Sequence, residues 1–371
     1  MPELRSPLKV GDRFSGFSLP STSGKDLSLE DLVGKPLVLF FYLKDGGEAD
    51  TTELRDFRDL HSEFQKLKVN VVGVGLESVE SHKQFAQANG LPFQLVSDAK
   101  LEVSAALGAL QMEQVDGKPA VSLSRTTYIT DVHFRVVKVY TDVSATGHAQ
   151  QVLEDAKKSL FFDEPLKVQR HAPVLLIPDV LSQEECNQLI ELWETGGNQD
   201  SGFMKQIDGK TVGLTDYSHK IRRDHFMQRG PLEEMVKTAL ANRVIPMIQQ
   251  AFNYSVTRRE DFRIACYDAG RGGYFRPHRD NTTAGTAHRR FAMSLLLNDD
   301  YENGWLRFPE YGPHLYRPPA GSAVVFSCSL LHEATDVTAG KRFVLLSFFY
   351  GEKEAKAREE YERRTGGAYR A

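Results

Sequence analysis

Two histidines and one aspartate in the second half of the chain have the residue types and the spacing of a metal site. His278 and Asp280 stand two positions apart in FRPHRDNTT, and His332 follows in a later apolar segment. Side chains two positions apart on a β-strand point to the same face, about 7 Å apart along the strand. Two such ligands can hold one metal ion. A His-x-Asp pair also arises by chance, and the alternative for His278 alone is a hydrogen-bonded surface histidine.

His332 supplies the third ligand of the predicted site. It ends the apolar strand-and-turn segment GSAVVFSCSLLH. Two histidines and one carboxylate on adjacent strands form the facial triad of non-haem Fe(II) oxygenases. Three protein ligands leave the remaining positions of an octahedral ion open, which suits a bidentate 2-oxo acid together with O₂. We therefore predict that His278, Asp280 and His332 bind Fe(II).

Arg342 is the candidate for binding an anion near this metal. It opens the apolar run RFVLLSFFYG, shortly after Gly340. A guanidinium group can hold a carboxylate through two parallel hydrogen bonds. The distal carboxylate of 2-oxoglutarate needs such a partner in a deep apolar barrel. The alternative for Arg342 is a surface salt bridge, and its position between a glycine and an apolar strand argues against that alternative.

Short strands after Arg263 are predicted to position these residues. Turns rich in glycine and proline separate the apolar segments FRIACYD, FAMSLLLND, GWLRFPE, GSAVVFSC and RFVLLSFFYG. Two helical segments precede them: one begins with the capping box Ser182-x-x-Glu185, and the other is interrupted at Pro246. Helices followed by many short strands predict a jelly roll with the helices packed outside. The polar, glycine-rich segment 197–226 between the helices has the length of a functional or disordered loop.

Residues 8–160 alternate between predicted strands and helices. The short, β-branched segments 35–43 and 69–77 are typical of buried strands. One helix is predicted between them, over 51–68, and a further helix, an antiparallel hairpin and a final helix follow. This order of elements predicts an α/β layer fold with a mixed sheet.

The length and charge of the chain limit its organisation and its partners. With 371 residues the chain is long for a single core. A polar segment between Pro165 and Pro173 marks the expected boundary, which gives the domains 1–165 and 166–371. The net charge of −4 provides no drive toward nucleic acid or an anionic membrane. No apolar segment has the length that a transmembrane helix requires.

Cysteine usage indicates a reducing compartment. Cys186, Cys266 and Cys328 are widely spaced and odd in number, which is typical of reduced thiols. The first residues, MPELRSPLKVGDRF, lack the apolar core of a secretory signal. The expected location is therefore the cytoplasm.

The second half of the chain resembles the Fe(II)- and 2-oxoglutarate-dependent dioxygenases of the prolyl 4-hydroxylase-like branch. The resemblance covers about residues 170–350 and rests on ACYDAGRGGYFRPHRD, LLND, NGWLRFPE and PPAGSAVVFS, besides His332 and Arg342. It implies a double-stranded β-helix, or jelly roll, with packed helices. It also implies Fe(II), 2-oxoglutarate as cosubstrate and O₂, and it allows ascorbate as a further reductant. In this branch the region that corresponds to 197–226 is a mobile flap over the substrate.

The same resemblance assigns roles to single residues and a reaction to the site. His278, Asp280 and His332 correspond to the metal ligands, and Arg342 corresponds to the residue that binds 2-oxoglutarate. Tyr267 matches a tyrosine that contacts the cosubstrate; a core or turn tyrosine is the alternative. The implied reaction hydroxylates a C–H bond of a peptidyl residue or a small molecule and releases succinate and CO₂. The alternative is a non-enzymatic module that binds metal and 2-oxoglutarate or senses oxygen.

The first half of the chain resembles the peroxiredoxin group of the thioredoxin-like fold. The loop FYLKDGGEADTTEL has Leu43, Gly47 and Asp50 where that family has a proline, a threonine and the peroxidatic cysteine, and residues 1–160 contain no cysteine. Arg125 stands where the family has an arginine and is expected to pair with Asp50. A carboxylate cannot cycle through sulfenic acid. This domain is therefore expected to be redox-inactive and to serve as a scaffold, with a homodimer formed through it; a binding role is the alternative.

Overall fold

The computed structural model describes residues 4–115, 118–160, 170–208 and 210–365. The chain separates into two compact units, Met1–Leu166 and Lys167–Ala371. The boundary expected between residues 165 and 166 lies outside the described residues. No helix in the described ranges combines the length and the apolar character needed to cross a bilayer.

The first unit is built around a five-stranded mixed sheet, as predicted. The strand order is β5-β4-β3-β8-β9. β3, β4 and β5 are parallel, whereas β8 and β9 form the antiparallel edge. The elements are β1 (Ser18–Pro20), β2 (Asp26–Ser28), β3 (Leu37–Phe41), α1 (Glu48–Asp59), α2 (His61–Lys66), β4 (Asn70–Gly75), α3 (Val79–Asn89), β5 (Gln94–Ser97), α4 (Glu102–Ala106), β6 (Leu110–Val115), β7 (Lys118–Leu123), β8 (Thr127–Thr130), β9 (Val136–Tyr140) and α5 (His148–Ser159).

The central strand β3 is buried on both faces. Leu37 and Leu39 belong to one apolar cluster, and Val38 and Phe40 belong to another on the opposite face. Strand side chains alternate between faces, so a strand covered on both sides must be apolar at every position. This burial explains the continuous apolar run that identified the strand in the sequence.

The helix predicted over 51–68 differs from the observed structure at both its start and its middle. α1 begins at Glu48 with Gly47 as its N-cap, so neither Thr51 nor Thr52 caps it. The two acidic residues of the first turn favour this earlier start because they face the positive end of the helix dipole. The helix is also divided at Leu60, where a tight turn joins α1 to α2.

The second unit contains an eight-stranded sheet and a five-stranded sheet. The larger sheet has the order β10-β23-β19-β26-β17-β15-β11, with β16 pairing β26, and the smaller has the order β14-β18-β24-β21-β22. The elements are β10 (Val174–Ile177), α6 (Gln183–Thr195), β11 (Gln199–Asp200), β12 (Phe203–Ile207), β13 (Lys210–Leu214), β14 (Lys220–Ile221), β15 (Arg223–Phe226), α7 (Pro231–Arg243), α8 (Ile245–Phe252), β16 (Arg258–Arg259), β17 (Arg263–Asp268), β18 (Tyr274–His278), β19 (Phe291–Leu296), β20 (Glu302–Asn303), β21 (Leu306–Arg307), β22 (Leu315–Tyr316), β23 (Ala323–Ser327), β24 (His332–Ala334), β25 (Val337–Ala339), β26 (Lys341–Tyr350) and α9 (Glu352–Thr365).

Successive side chains of β17 point alternately to the two faces of the large sheet. Ile264 and Cys266 pack in a large apolar cluster that includes Leu189 from α6. Tyr267, which points to the opposite face, belongs to a different cluster. One face of the large sheet therefore carries the helices, and the other face is free to line a cavity. The capping box that predicts α6 is present at Ser182.

Candidate metal centre

Strand pairing in the smaller sheet brings the two predicted histidine ligands together. β18 and β24 are antiparallel, and His278 and His332 are direct cross-strand partners. The register shifts between Phe275 and His278, so β18 contains a β-bulge. The prediction that Asp280 shares a strand with His278 is wrong, because β18 ends at His278 and Asp280 lies in the turn that follows. The Asp280 amide donates to the Cys328 carbonyl over 3.0 Å, which holds this turn in place.

The three side chains converge on one point. The His278 Nε2 atom is 3.5 Å from Asp280 Oδ1, and the His332 Nε2 atom is 3.3 Å from Asp280 Oδ2. One ligand atom from each residue lies within 4.8 Å of the others. Neighbouring ligands about 2.1 Å from one octahedral ion stand about 3 Å apart. The residue types and their convergence therefore fit a divalent cation, whose binding would draw the ligand atoms closer together.

Backbone carbonyls fix the tautomer of both histidines. His278 Nδ1 donates to the Arg276 carbonyl over 2.8 Å, and His332 Nδ1 donates to the Leu330 carbonyl over 3.0 Å. Because a carbonyl can only accept, each Nδ1 carries the proton and each Nε2 presents its lone pair to the centre. Burial, followed by the charge of His332, lowers the pKa of His278 to about 4. His278 is therefore neutral at physiological pH, which is the form that binds a metal.

Arg342 is a buried cation without a carboxylate partner among the described residues. The side chain is 3% exposed, its Nε atom has no hydrogen-bond partner, and no ion pair involves it in the described part of the chain. The surface salt bridge considered as an alternative is thus not formed with any described residue. A buried guanidinium is costly unless an anion compensates it. A carboxylate bound in this position would provide that compensation.

Tyr267 is adjacent to Arg342 and is both a core residue and a cavity residue. The two residues pair across β17 and β26, and the Arg342 Cζ atom lies 5.1 Å from the centroid of the Tyr267 ring. The Tyr267 hydroxyl accepts a hydrogen bond from Arg222 Nη1 over 3.3 Å.

A cavity of about 780 Å³ connects these residues. Its lining includes the three candidate ligands, Tyr267 and Arg342, together with residues from both sheets of the second unit. The segment 197–226, expected to be a flap, contains β11 to β15. The hairpin β12–β13 contributes Phe203, Met204 and Leu214 to the lining. The segment that was predicted to cover the substrate thus forms part of the cavity wall.

Not every basic or aromatic residue close to the metal ligands in the sequence lines the cavity. Arg279 lines the cavity, but Arg276 and Trp305 do not. Arg276 instead forms an exposed pair with Asp336 over 2.7 Å. The cavity also contains Lys220, Arg263 and Arg289, which sequence analysis did not single out. The segment HKIRRD has the composition of a solvated basic run, and only the tertiary structure reveals that part of it is buried.

Comparison with known proteins assigns a family to each half of the chain. A model of the AhpC/TSA family matches residues 10–139, and a model of the 2OG-Fe(II) oxygenase superfamily matches residues 262–350. A putative peroxiredoxin of Coxiella burnetii is 36% identical over 146 residues, which are 39% of this chain and 97% of that protein. The peroxiredoxin Bcp of Bacillus subtilis is 31% identical over 150 residues, which are 40% of this chain and 96% of that protein. A solved structure of Xanthomonas campestris peroxiredoxin Q is 32% identical, covers 38% of this chain and 90% of its own, and has a TM-score of 0.37.

The chain belongs to the AhpC/TSA family. Its first unit, here called the AhpC/TSA unit, has the thioredoxin-like fold of that family. The second unit carries a 2OG-Fe(II) oxygenase domain and is here called the oxygenase unit. That superfamily implies Fe(II), 2-oxoglutarate and O₂, and the donor set described above fits the metal.

A buried group of ionisable residues in the AhpC/TSA unit contains Asp50, from the first turn of α1, and Arg125, from the connection between β7 and β8. Asp50 is 5% exposed and accepts hydrogen bonds from the Leu43 amide over 2.9 Å and from Arg125 Nη2 over 2.8 Å. The expected pairing of Arg125 with Asp50 is therefore confirmed. Arg125 also binds Glu53, which is fully buried and one helical turn further along α1. Two carboxylates thus share one cation.

The stability of the AhpC/TSA unit is expected to fall as the pH rises toward about 7. Burial raises the pKa of Glu53 to about 7, although Arg125 opposes this shift. The folded unit holds a proton that the unfolded chain releases near its ordinary pKa of about 4.3. Between these two pKa values the free energy of unfolding falls as the pH rises, by roughly 3 kcal/mol in all, and above pH 7 the advantage is gone. Glu53→Gln should remove this dependence.

The pH dependence of this stability can be measured by hydrogen exchange on the full-length protein at pH 5 to 8. Peptides from β3 and β8 report on the AhpC/TSA unit alone. Tryptophan fluorescence would not, because Trp193 and Trp305 both lie in the oxygenase unit. Glu48→Gln is the control, since Glu48 is exposed in the same helix. Equal pH dependence in the wild type and Glu53→Gln would contradict the assignment.

Proposed function

We propose that this chain is an Fe(II)- and 2-oxoglutarate-dependent dioxygenase that hydroxylates a C–H bond of a peptidyl residue, prolyl-like in type, or of a small molecule. Succinate and CO₂ are the co-products. The observation that carries this proposal is the buried Arg342, which has no ion-pair partner among the described residues and lies in the same cavity as His278, Asp280 and His332. A site that binds metal alone needs the three ligands, but it gives no reason to keep this guanidinium in the cavity. A non-enzymatic module that binds 2-oxoglutarate would keep both, and turnover distinguishes it from the proposed enzyme.

Each residue has a defined task in the proposed reaction. His278, Asp280 and His332 hold the metal, and Arg342 binds the distal carboxylate of 2-oxoglutarate. Tyr267 supports Arg342 from the adjacent strand. Bound iron, with 2-oxoglutarate and O₂, supplies the oxidation of an unactivated C–H bond; ascorbate is proposed only as a reductant that keeps iron in the ferrous state.

The walls of the cavity keep this chemistry away from bulk water. Apolar residues from the two sheets, among them Phe275, Met293 and Leu346, line it. In a poorly solvated site the attraction between Arg342 and a carboxylate is stronger than in water. We interpret the two sheets as the jelly roll of this superfamily, and the domain boundaries as 1–165 and 166–371.

The AhpC/TSA unit has a supporting role in this proposal. Without a cysteine in residues 1–160 it has no thiolate to attack a peroxide. We propose that it is redox-inactive and that it provides a surface for homodimer formation. The buried Asp50–Arg125–Glu53 group supports a structural role, because it fills the former peroxide site with internal ion pairs.

Succinate formation tests the proposed function. The full-length protein is loaded anaerobically with Fe(II) and 2-oxoglutarate and is then exposed to O₂, and succinate is quantified by NMR. We expect succinate only when iron, 2-oxoglutarate and O₂ are all present, with a slow rate that increases when a substrate is added. Binding of iron and 2-oxoglutarate without turnover, even with peptide and metabolite pools, would favour the sensing module. A protein that binds neither is not the proposed enzyme.

A further inference from the structure

The cavity of the oxygenase unit carries more positive charge than 2-oxoglutarate can neutralise. Five buried or nearly buried cations line it: Lys220, Arg222, Arg263, Arg289 and Arg342. Four carboxylates besides the metal ligand Asp280 are found in or next to the lining. Asp224 is buried with these cations, and Glu260 binds two of them. The other two lie toward solvent: Asp200 pairs with Arg271 at 2.7 Å, and Asp216 is exposed. Buried charges in proteins are normally paired. An excess of this kind indicates that a bound anion completes the balance.

The carboxylates of Asp224 and Glu260 are already committed to arginines. Arg222 binds Asp224 through two hydrogen bonds of 2.7 and 2.6 Å. Arg289 binds Glu260 through two hydrogen bonds of 2.6 and 2.8 Å, and Arg263 lies 3.5 Å from the same carboxylate. Two cations remain without a carboxylate partner among the described residues. Arg342 is one of them, and Lys220 is the other.

Lys220 is buried, and only some of the hydrogen-bond donors of its ammonium group have partners among the described residues. It is 4% exposed, and its Nζ atom donates to Ser201 Oγ over 2.7 Å and to the Gly202 carbonyl over 2.6 Å. Both partners are neutral. An ammonium group has three N–H donors, so one donor of Lys220 has no partner in the described part of the chain.

The position of Lys220 relates it to the metal centre. Its Nζ atom lies 4.8 Å from the centroid of the Phe275 ring, and that ring stacks on His278 with centroids 3.4 Å apart. A single aromatic ring therefore separates the ammonium group from a metal ligand. An anionic group bound to Lys220 would hold the rest of a small molecule close to the iron.

A purely structural role does not account for Lys220. Burial, followed by repulsion from Arg222, lowers the pKa of Lys220 well below its usual value. The charged ammonium group is therefore destabilised in the protein without a ligand. A methionine would occupy similar volume without a desolvation cost. The Arg222–Asp224 pair already satisfies its own charges, so it does not require a second cation beside it.

We propose that Lys220 binds a carboxylate of the substrate and thereby selects acidic substrates. This inference rests on the proposed function, in which Arg342 and the metal bind the two carboxylates of 2-oxoglutarate and leave Lys220 for the substrate. The carboxylate has two sources, a small free acid or an acidic side chain in a peptide. Both present the same oxygens to the ammonium group.

Matched acids and amides test this proposal without knowledge of the natural substrate. The full-length protein is loaded with 2-oxoglutarate and redox-inert Mn²⁺, and binding is measured by calorimetry. N-acetyl-aspartate against N-acetyl-asparagine represents small acids, and a pentapeptide with a central Asp against its Asn form represents peptides. We expect at least one acid to bind about tenfold or more tightly than its amide, as for a charge-assisted hydrogen bond.

Two variants connect this preference to Lys220. Lys220→Met and Lys220→Gln should remove the preference for the acid while changing the affinity for 2-oxoglutarate less than about threefold, or about 0.7 kcal/mol. Lys205→Met is the control, because Lys205 is an exposed lysine of β12 that lines the same cavity. It should keep the wild-type preference. Without ligand, Lys220→Met should melt at a higher temperature than the wild type, since it removes the desolvation cost.

Three other outcomes would contradict either the role of Lys220 or the proposed function. Equal binding of acids and amides in the 2-oxoglutarate-loaded wild type overturns the role of Lys220 alone. Loss of 2-oxoglutarate binding in both Lys220 variants assigns this residue to the cosubstrate and also overturns the inference. Failure of the wild type to bind 2-oxoglutarate at all overturns the proposed function instead, and acid binding by Lys220 is then assessed separately on the Mn²⁺-loaded protein.

Discussion

His278→Ala is expected to abolish 2-oxoglutarate turnover. His278 is one of only two nitrogen ligands at the centre, and its Nε2 atom is held in place by the hydrogen bond from Nδ1 to the Arg276 carbonyl. Alanine leaves Asp280 and His332, which bind a ferrous ion far more weakly than three ligands do. Succinate formation should fall by at least about a thousandfold, or about 4 kcal/mol in the activation free energy.

Bound iron and turnover should be measured on the same samples. The wild type should retain about one iron per chain in the oxygenase unit after desalting, held by the triad His278, Asp280 and His332, and His278→Ala should retain much less. His314→Ala is the matched control, because His314 is an exposed histidine of the same unit. Retention of full iron content together with normal succinate formation in His278→Ala would show that the catalytic metal lies elsewhere.

Arg342→Met should produce two effects of opposite sign. The affinity for 2-oxoglutarate should fall by about a hundredfold or more, or about 3 kcal/mol, because the distal carboxylate loses a desolvated, charge-assisted partner. The unliganded protein should become more stable, because methionine removes a buried guanidinium whose Nε atom has no partner. A residue with a merely structural role would lose stability when it is replaced.

Calorimetry with 2-oxoglutarate and thermal unfolding without it measure these effects separately. Arg276→Met is the control, since Arg276 forms an exposed pair with Asp336 outside the cavity. It should change neither quantity by much. Unchanged 2-oxoglutarate affinity in Arg342→Met would remove the main support for the proposed cosubstrate.

Residue types and spacing were sufficient to predict the convergence of the metal ligands and the burial of Arg342. Apolar alternation indicates which faces of the strands are buried, and therefore which side chains can meet across neighbouring strands. An arginine at the start of an apolar strand has few conformations in which its guanidinium reaches solvent. The exact placement of Asp280 was not predictable, because it depends on where β18 ends and on the bond from its amide to Cys328.

Lys220 could not be found from the sequence for a different reason. A lysine in a basic, polar segment is normally solvated. Its burial follows from the pairing of β14 with β18, which places Lys220 opposite Phe275. The division of the first long helix at Leu60 was missed in a similar way, since the apolar stripe continues through the break and Phe57 and Phe64 are both fully buried.

The bulge in β18 determines which side chains can reach the metal. On a regular strand, Phe275 and His278 would point to opposite faces, because they are three positions apart. Their rings stack against each other, so the extra residue reverses the alternation between them. Deleting one residue, such as Pro277, would restore a regular ladder and turn one of these rings away. An insertion in one of the loops between Asp280 and His332 would leave this ladder intact. The position of the metal site therefore tolerates a change of loop length, whereas the irregular strand must keep its number of residues.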